Sequence, residues 1–187
     1  MKDFVQNYIN EHKAALESIS VEEVDKAIST FRKALEEDRQ IFVFGNGGSA
    51  ADAQHLAAEF SGRFYKNRKA LPSDALHCNS SYLTAVANDY SYDVIYARLV
   101  EGMGVKGDVL IGLSTSGNSA NIVKAFEAAR DKRVITVGFT GKDGGKMKSL
   151  SDFLLNVPST DTPRIQESHI MLGHIICQMV EELYFES

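Results

Sequence analysis

The stretch Val109-Leu110-Ile111-Gly112-Leu113-Ser114-Thr115-Ser116-Gly117-Asn118-Ser119 admits few folds. An apolar run stops at a cluster of hydroxyls and a glycine, and Ala120-Asn121-Ile122-Val123-Lys124-Ala125-Phe126 then opens a helical pattern. This reads as a buried strand, a tight loop and a helix start. The unit occurs earlier too: Gln40-Ile41-Phe42-Val43-Phe44 leads into Gly45-Asn46-Gly47-Gly48-Ser49 and a helix from Ala50 to about Phe60. Further strands are expected at 134–138 and 153–157, with a short one at 76–78. Helices are expected at 80–88, 92–103, 120–130 and 163–183, and residues 141–146 read as a polar loop. Pro163 suits the first position of the last helix. Strands alternating with helices imply an α/β fold, a three-layer sandwich with a central parallel sheet. No linker or repeat interrupts the 187 residues, so one domain is expected over 1–187.

Two amphipathic helices precede the first strand, over about residues 1–37. Phe4, Tyr8, Ile9 and Leu16 repeat at helical spacing, as do Val24, Ala27, Ile28, Phe31 and Leu35. Ser20 with Glu23 three residues on is a capping-box signature for the second helix. Both stripes need a surface to cover them, either the sheet or another subunit, and a subunit contact is the favoured reading. The net charge is −5 without a long basic run, which argues against nucleic acid as a partner. No signal-peptide core lies in residues 1–16 and no apolar run is long enough to span a membrane, so a cytoplasmic protein is expected. Cys78 and Cys177 show no motif spacing and read as reduced thiols.

Ligands of parallel sheets bind beyond the carboxyl ends of the strands. Two loops qualify: Asn46 to Ser49, and Ser114 to Ser119. A helix start offers unpaired N–H groups and partial positive charge, which suit an anion. Four hydroxyls in six residues exceed what a helix cap needs, so a phosphate is expected there, with simple capping by Ser116, Asn118 or Ser119 as the alternative. Gly45-Asn46-Gly47-Gly48-Ser49-Ala50 matches the weaker dinucleotide fingerprint. The acidic residue expected about twenty positions on is missing from the basic stretch Phe64-Tyr65-Lys66-Asn67-Arg68-Lys69, which counts against a nicotinamide cofactor. Gly144-Gly145-Lys146 is followed by Met147 where a P-loop requires Ser or Thr, which counts against ATP.

His55 and Glu59 lie four apart on the helix leaving the first loop, so they share a face. On a largely apolar helix with Leu56, Ala57 and Phe60, such groups are candidates for acid–base chemistry or metal ligation, the alternative being a solvated pair. His169 and His174 fall on the last helix. Alone, His174 among Ile170, Met171, Ile175 and Ile176 reads as a satisfied core histidine.

Several motifs together resemble one family. They are Phe44-Gly45-Asn46-Gly47-Gly48-Ser49-Ala50, His55 with Glu59, Ala87-Asn88-Asp89, Ser114 to Ser119, Thr140-Gly141-Lys142-Asp143-Gly144-Gly145-Lys146-Met147 and Arg164-Ile165-Gln166-Glu167. In this order they resemble the phosphoheptose isomerases, which carry the sugar-isomerase (SIS) domain, a flavodoxin-like fold. The resemblance spans nearly the whole chain. It implies interconversion of sedoheptulose 7-phosphate and D-glycero-D-manno-heptose 7-phosphate, an early step toward activated heptose for bacterial surface glycans. It implies phosphate binding at Ser114, Thr115, Ser116 and Ser119. It implies a sugar site lined by Asn46, Gly47, Gly48, Glu59, Asn88, Asp89 and Gln166, and a catalytic pair of Glu59 and His174. It further implies zinc, one per subunit, at His55, Glu59, Gln166 and His174, no nucleotide cofactor, and a homotetramer with active sites between subunits. Some members carry an acidic residue just before Arg-Ile-Gln-Glu; here Pro163 stands there, with Asp161 two positions earlier.

A carboxylate and an imidazole suit aldose–ketose isomerisation, which moves a proton between C1 and C2 through an enediol. Zinc would polarise the carbonyl. Gln166 and His174 are eight apart, about 12 Å along a straight helix. To share one metal, long side chains must converge, the helix must start after Gln166, or different subunits must contribute. A rival reading is a non-catalytic SIS-domain regulator that binds a replication initiator. The resemblance implies that such a regulator lacks the catalytic carboxylate and histidine, which Glu59 and His174 supply here.

Overall fold

Alternating apolar residues in the strands build a sheet covered on both faces. The computed structural model describes residues 2–185. In chain order come α1 (Lys2–Glu17), α2 (Val21–Glu36), β1 (Ile41–Gly45), α3 (Gly48–Ser61), β2 (Ser73–Ala75) and α4 (Ser80–Asp89). Then come α5 (Ile95–Met103), β3 (Val109–Ser114), α6 (Ala120–Lys132), β4 (Ile135–Gly141), β5 (Phe153–Val157) and α7 (Thr162–Phe185). Every strand pair is parallel and the order is β2-β1-β3-β4-β5. Ile41, Val43, Val109, Ile111 and Val137 point into the core under α2, α3 and α7. Phe42, Phe44 and Leu110 point into the core under α4, α5 and α6. This period-two split is what a sheet buried on both faces requires. Among the described residues no helix is long and apolar enough to cross a membrane.

The structure departs from the sequence expectations in four places. The edge strand is Ser73–Ala75, three residues before the expected 76–78. Pairing with Ile41, Phe42 and Val43 makes the strand, against the weak β preference of Ser and Asp. The helix expected over 92–103 begins as a 3₁₀ turn, Tyr92–Val94. The polar loop expected over 141–146 is shorter: Gly141 ends β4, and Gly145–Ser149 is a 3₁₀ turn. The stripe of α2 needs no second subunit. Val24, Ala27, Ile28, Phe31 and Leu35 are buried in the chain's own core, and the Phe31 ring stacks on Phe60 at 6.0 Å. Ser20 caps α2 as expected, accepting from the Glu23 N–H at 3.3 Å. The other stripe stays open, with Phe4, Val5, Tyr8 and Ile9 of α1 exposed.

Candidate active site

The strand order reverses between β1 and β3, and the two loops singled out in the sequence leave those strands side by side. Gly47 sits at φ 55°, ψ −122°, a conformation that needs glycine, and turns the chain into α3. Asn46 and Asn121 exchange reciprocal amide hydrogen bonds of 2.9 Å, tying the first loop to the start of α6. Tyr92 Oη also donates to Asn46 Oδ1 at 3.1 Å. Simple capping does not account for the second loop. Ser119 occupies the cap position of α6, yet its side chain makes no cap bond. Its hydroxyl instead meets the Ser114 hydroxyl at 2.9 Å. Ser116 Oγ accepts from the Asn118 N–H at 3.1 Å, a bond within the loop. The start of α6 therefore keeps its polarity and has hydroxyls gathered around it.

Three side chains meet farther along α3. His55 Nε2 lies 3.1 Å from His174 Nε2 and 3.3 Å from Glu59 Oε1. His55 is half exposed, while Glu59 and His174 are partly buried. Asp52, one turn before His55, has its carboxyl pushed up by burial, partly offset by the two histidines. Donors around tetrahedral zinc sit about 2.0–2.2 Å from the ion, which puts neighbouring donors about 3.3 Å from each other. The donor types and these two spacings, taken pair by pair, suit that ion, but the three groups do not close around one point. No three His, Cys, Asp or Glu groups among the described residues close into a metal cluster. Gln166 faces the first loop. Its Nε2 reaches Ser49 Oγ at 3.3 Å, beside Gly48. Because α7 begins at Thr162, a helix start after Gln166 is ruled out. His169 is the core histidine: fully buried, held at Thr140 O at 3.1 Å, and pushed down to about 4 by burial.

The SIS domain family model matches residues 7–141. A phosphoheptose isomerase of Clostridium acetobutylicum is 49% identical, with 99% of this chain and 97% of that relative aligned. The chain belongs to the phosphoheptose isomerase family. It is an isomerase acting on a heptose phosphate. A relative from Aneurinibacillus thermoaerophilus is 46% identical, covering all of this chain and 97% of its own length. The solved structure of a Neisseria gonorrhoeae phosphoheptose isomerase superposes with a TM-score of 0.90 at 41% identity, over 97% of this chain and 98% of that one.

One supporting cluster beside the site escaped the sequence reading. The Glu181 carboxylate is buried and accepts the backbone N–H groups of Phe64, Tyr65 and Lys66 at 3.0, 2.7 and 2.6 Å. It also accepts from Arg68 Nε at 2.6 Å. Burial alone would raise its pKa, but these donors carry it down to about 2. Arg68 in turn donates to the carbonyls of Glu59 and Phe60 at 2.8 Å each, closing the end of α3. The segment held this way sets the Phe64 ring 5.7 Å from the His174 ring. Position 181 falls seven residues after His174, two helical turns along the same face, and that spacing was the available signal.

The remaining predicted residues are placed less centrally. Asn88 and Asp89 end α4, exposed, and bond each other at 2.9 Å. Pro163 and Asp161 are both exposed at the start of α7. An acidic residue does stand in the second strand, beyond the 64–69 stretch. The second strand carries Asp74, whose carboxylate accepts from the neighbouring Ala75 N–H at 2.8 Å.

Proposed function

We propose that this site interconverts sedoheptulose 7-phosphate and D-glycero-D-manno-heptose 7-phosphate through an enediol, with Glu59 and His174 moving the proton. One observation carries the reading. Helix α3 starts beside the hydroxyl loop and carries His55 and Glu59 away from it, toward His174. From Ser49 to His55 the rise is about 9 Å, and to Glu59 about 15 Å. The substrate has its phosphate on C7 and its reacting carbons at C1 and C2, so its two ends need recognition sites separated on this scale. Ser114, Thr115, Ser116 and Ser119 hold the phosphate. Asn46, Gly47, Gly48, Asn88, Asp89 and Gln166 line the sugar. One of the two takes the carbon-bound proton and returns it to the neighbouring carbon while the other serves the oxygens, and each keeps its role in both directions.

Zinc, where bound, would be held by His55, Glu59 and His174, with Gln166 as the fourth member of the set, and would polarise the substrate carbonyl. The proton transfer itself belongs to the protein side chains. No nucleotide cofactor enters this scheme, and the enzyme works in the cytoplasm. Incubating the chain with sedoheptulose 7-phosphate and assaying the aldose tests the reading. Absence of product would overturn it.

Two further expectations arise here. Ser116→Ala and Ser119→Ala each raise KM, by about 1–2 kcal/mol of lost binding to a charged group, measured by steady-state kinetics. Parent-like KM in both variants would leave the loop with no phosphate role. The open stripe of Phe4, Val5 and Ile9 on α1 supports a homotetramer with active sites between subunits. Light scattering should report four copies, and a fully active monomer would contradict the shared site.

A further inference from the structure

We propose that Lys142, Lys146 and Lys148 form a cationic basin on the flank of the hydroxyl loop that captures the phosphate of the incoming substrate. The inference rests on the sugar-phosphate reading above and adds residues that reading does not use. A cavity of about 770 Å³ lies between the loops that follow β3, β4 and β5. Thr115 and Ser116 form one wall, and the three lysines with Asp143 form another. The hydroxyl loop brings donors but no formal charge, while the chain carries −5 overall. A phosphate dianion approaching such a molecule is repelled on average. Here three cations face one carboxylate, and Asp143 is engaged with the Gly145 N–H at 3.1 Å. Among the described residues none of the three ammonium groups has an ion-pair partner.

The lysine loop is clamped to the hydroxyl loop. Gly117 sits at φ 63°, and a side chain there would come within 2.1 Å of the Gly144 carbonyl oxygen. Met147 N–H donates to Gly117 O at 3.0 Å, and Lys146 N–H donates to Asn118 Oδ1 at 3.1 Å. Lys142 is held in the left-handed region at φ 49°, costly for a residue other than glycine. Its N–H donates to Ser159 O at 2.7 Å and its carbonyl accepts from Asn156 Nδ2 at 3.0 Å. A conformation of this kind persists only where its surroundings fix it. The backbone that carries the three lysines is thereby fixed against the hydroxyl loop, and the side chains stand exposed, where salt screens their charge. Clustered charge of one sign speeds association of an oppositely charged ligand, and the gain falls as ionic strength rises.

The test compares the full chain with K142Q/K146Q/K148Q. A control, K33Q/K106Q/K132Q, removes the same charge from exposed lysines at the opposite, amino-terminal end of the strands. Two readouts are taken: kcat/KM against ionic strength, and binding of inorganic phosphate by calorimetric titration. The basin variant should lose about tenfold in kcat/KM at low salt, with kcat within about twofold, and should lose most of the salt dependence. It should also bind inorganic phosphate several-fold more weakly, while the control stays near the parent in both. An unchanged value in either readout, a fall confined to kcat, or an equal loss in the control would overturn the basin. Should the parent chain give no isomerised product, the isomerase reading falls, and the phosphate titration alone decides the lysines.

Discussion

Glu59→Gln and His174→Gln each lower turnover by about a hundredfold or more, the usual size of a general acid–base contribution. Glutamine keeps the shape of Glu59 and removes the base. At position 174 it keeps a polar group that cannot cycle a proton near neutral pH. Both side chains are partly open to solvent, so the fold and assembly should survive. The double variant should be little worse than either single one, because the two groups serve one proton transfer. His55 lies within hydrogen-bonding distance of His174 and 3.3 Å from Glu59, so His55→Ala separates two roles. If His55 holds a metal needed for turnover, its loss falls as far as the pair and is partly restored by added zinc. If it only orients His174 and Glu59, much activity remains without zinc. Steady-state kinetics with and without added metal distinguish these outcomes.

Glu181→Gln costs about 3–5 kcal/mol of stability, the penalty for leaving a buried cation without its counter-charge. Arg68 keeps its bonds to the ends of α3 but loses its bond to a carboxylate at 2.6 Å, and three backbone N–H groups lose a charged acceptor. Urea unfolding should show the midpoint falling with little change in slope. The same carboxylate predicts acid sensitivity. Its folded pKa of about 2 lies below the ordinary 4.5, so its contribution is fully present above the unfolded value. That contribution is lost as pH falls through about 2. The parent should therefore lose more stability than Glu181→Gln between pH 4.5 and 2. Equal stability of parent and variant at neutral pH would mean that the cluster contributes nothing.

The sheet was legible because its central strands are continuous apolar runs that end at glycine and hydroxyl loops. Residues 109–119 alone carry the strand, the turn and the helix start. The edge strand was not legible: Ser73, Asp74 and Ala75 become a strand only through pairing with β1. The fate of the N-terminal stripes was hidden for a related reason. Periodicity shows that Phe31 and Leu35 must be covered, and only the tertiary fold shows that α3 and α7 cover them. At the site, the spacing of His55 and Glu59 placed both on one face. Their meeting with His174 depends on α3 packing beside α7, a contact far apart in sequence. Gln166 shows the limit of motif reasoning. It shares a set with His174 in the family resemblance, yet within one chain it contacts Ser49, about two turns away along α7. Glu181 was missed because a lone acid near a helix end reads as a surface residue until the backbone of 64–66 is seen folded over it.

The enediol and its proton-transfer pair meet their most direct test in deuterated water. The chain is incubated with sedoheptulose 7-phosphate, and proton NMR follows the carbons beside the carbonyl. Aldose should form with deuterium incorporated at C2, and both signals should fall about a hundredfold or more in Glu59→Gln and His174→Gln. No product and no exchange from the parent chain would contradict the isomerase reading and leave the non-catalytic SIS-domain regulator in its place.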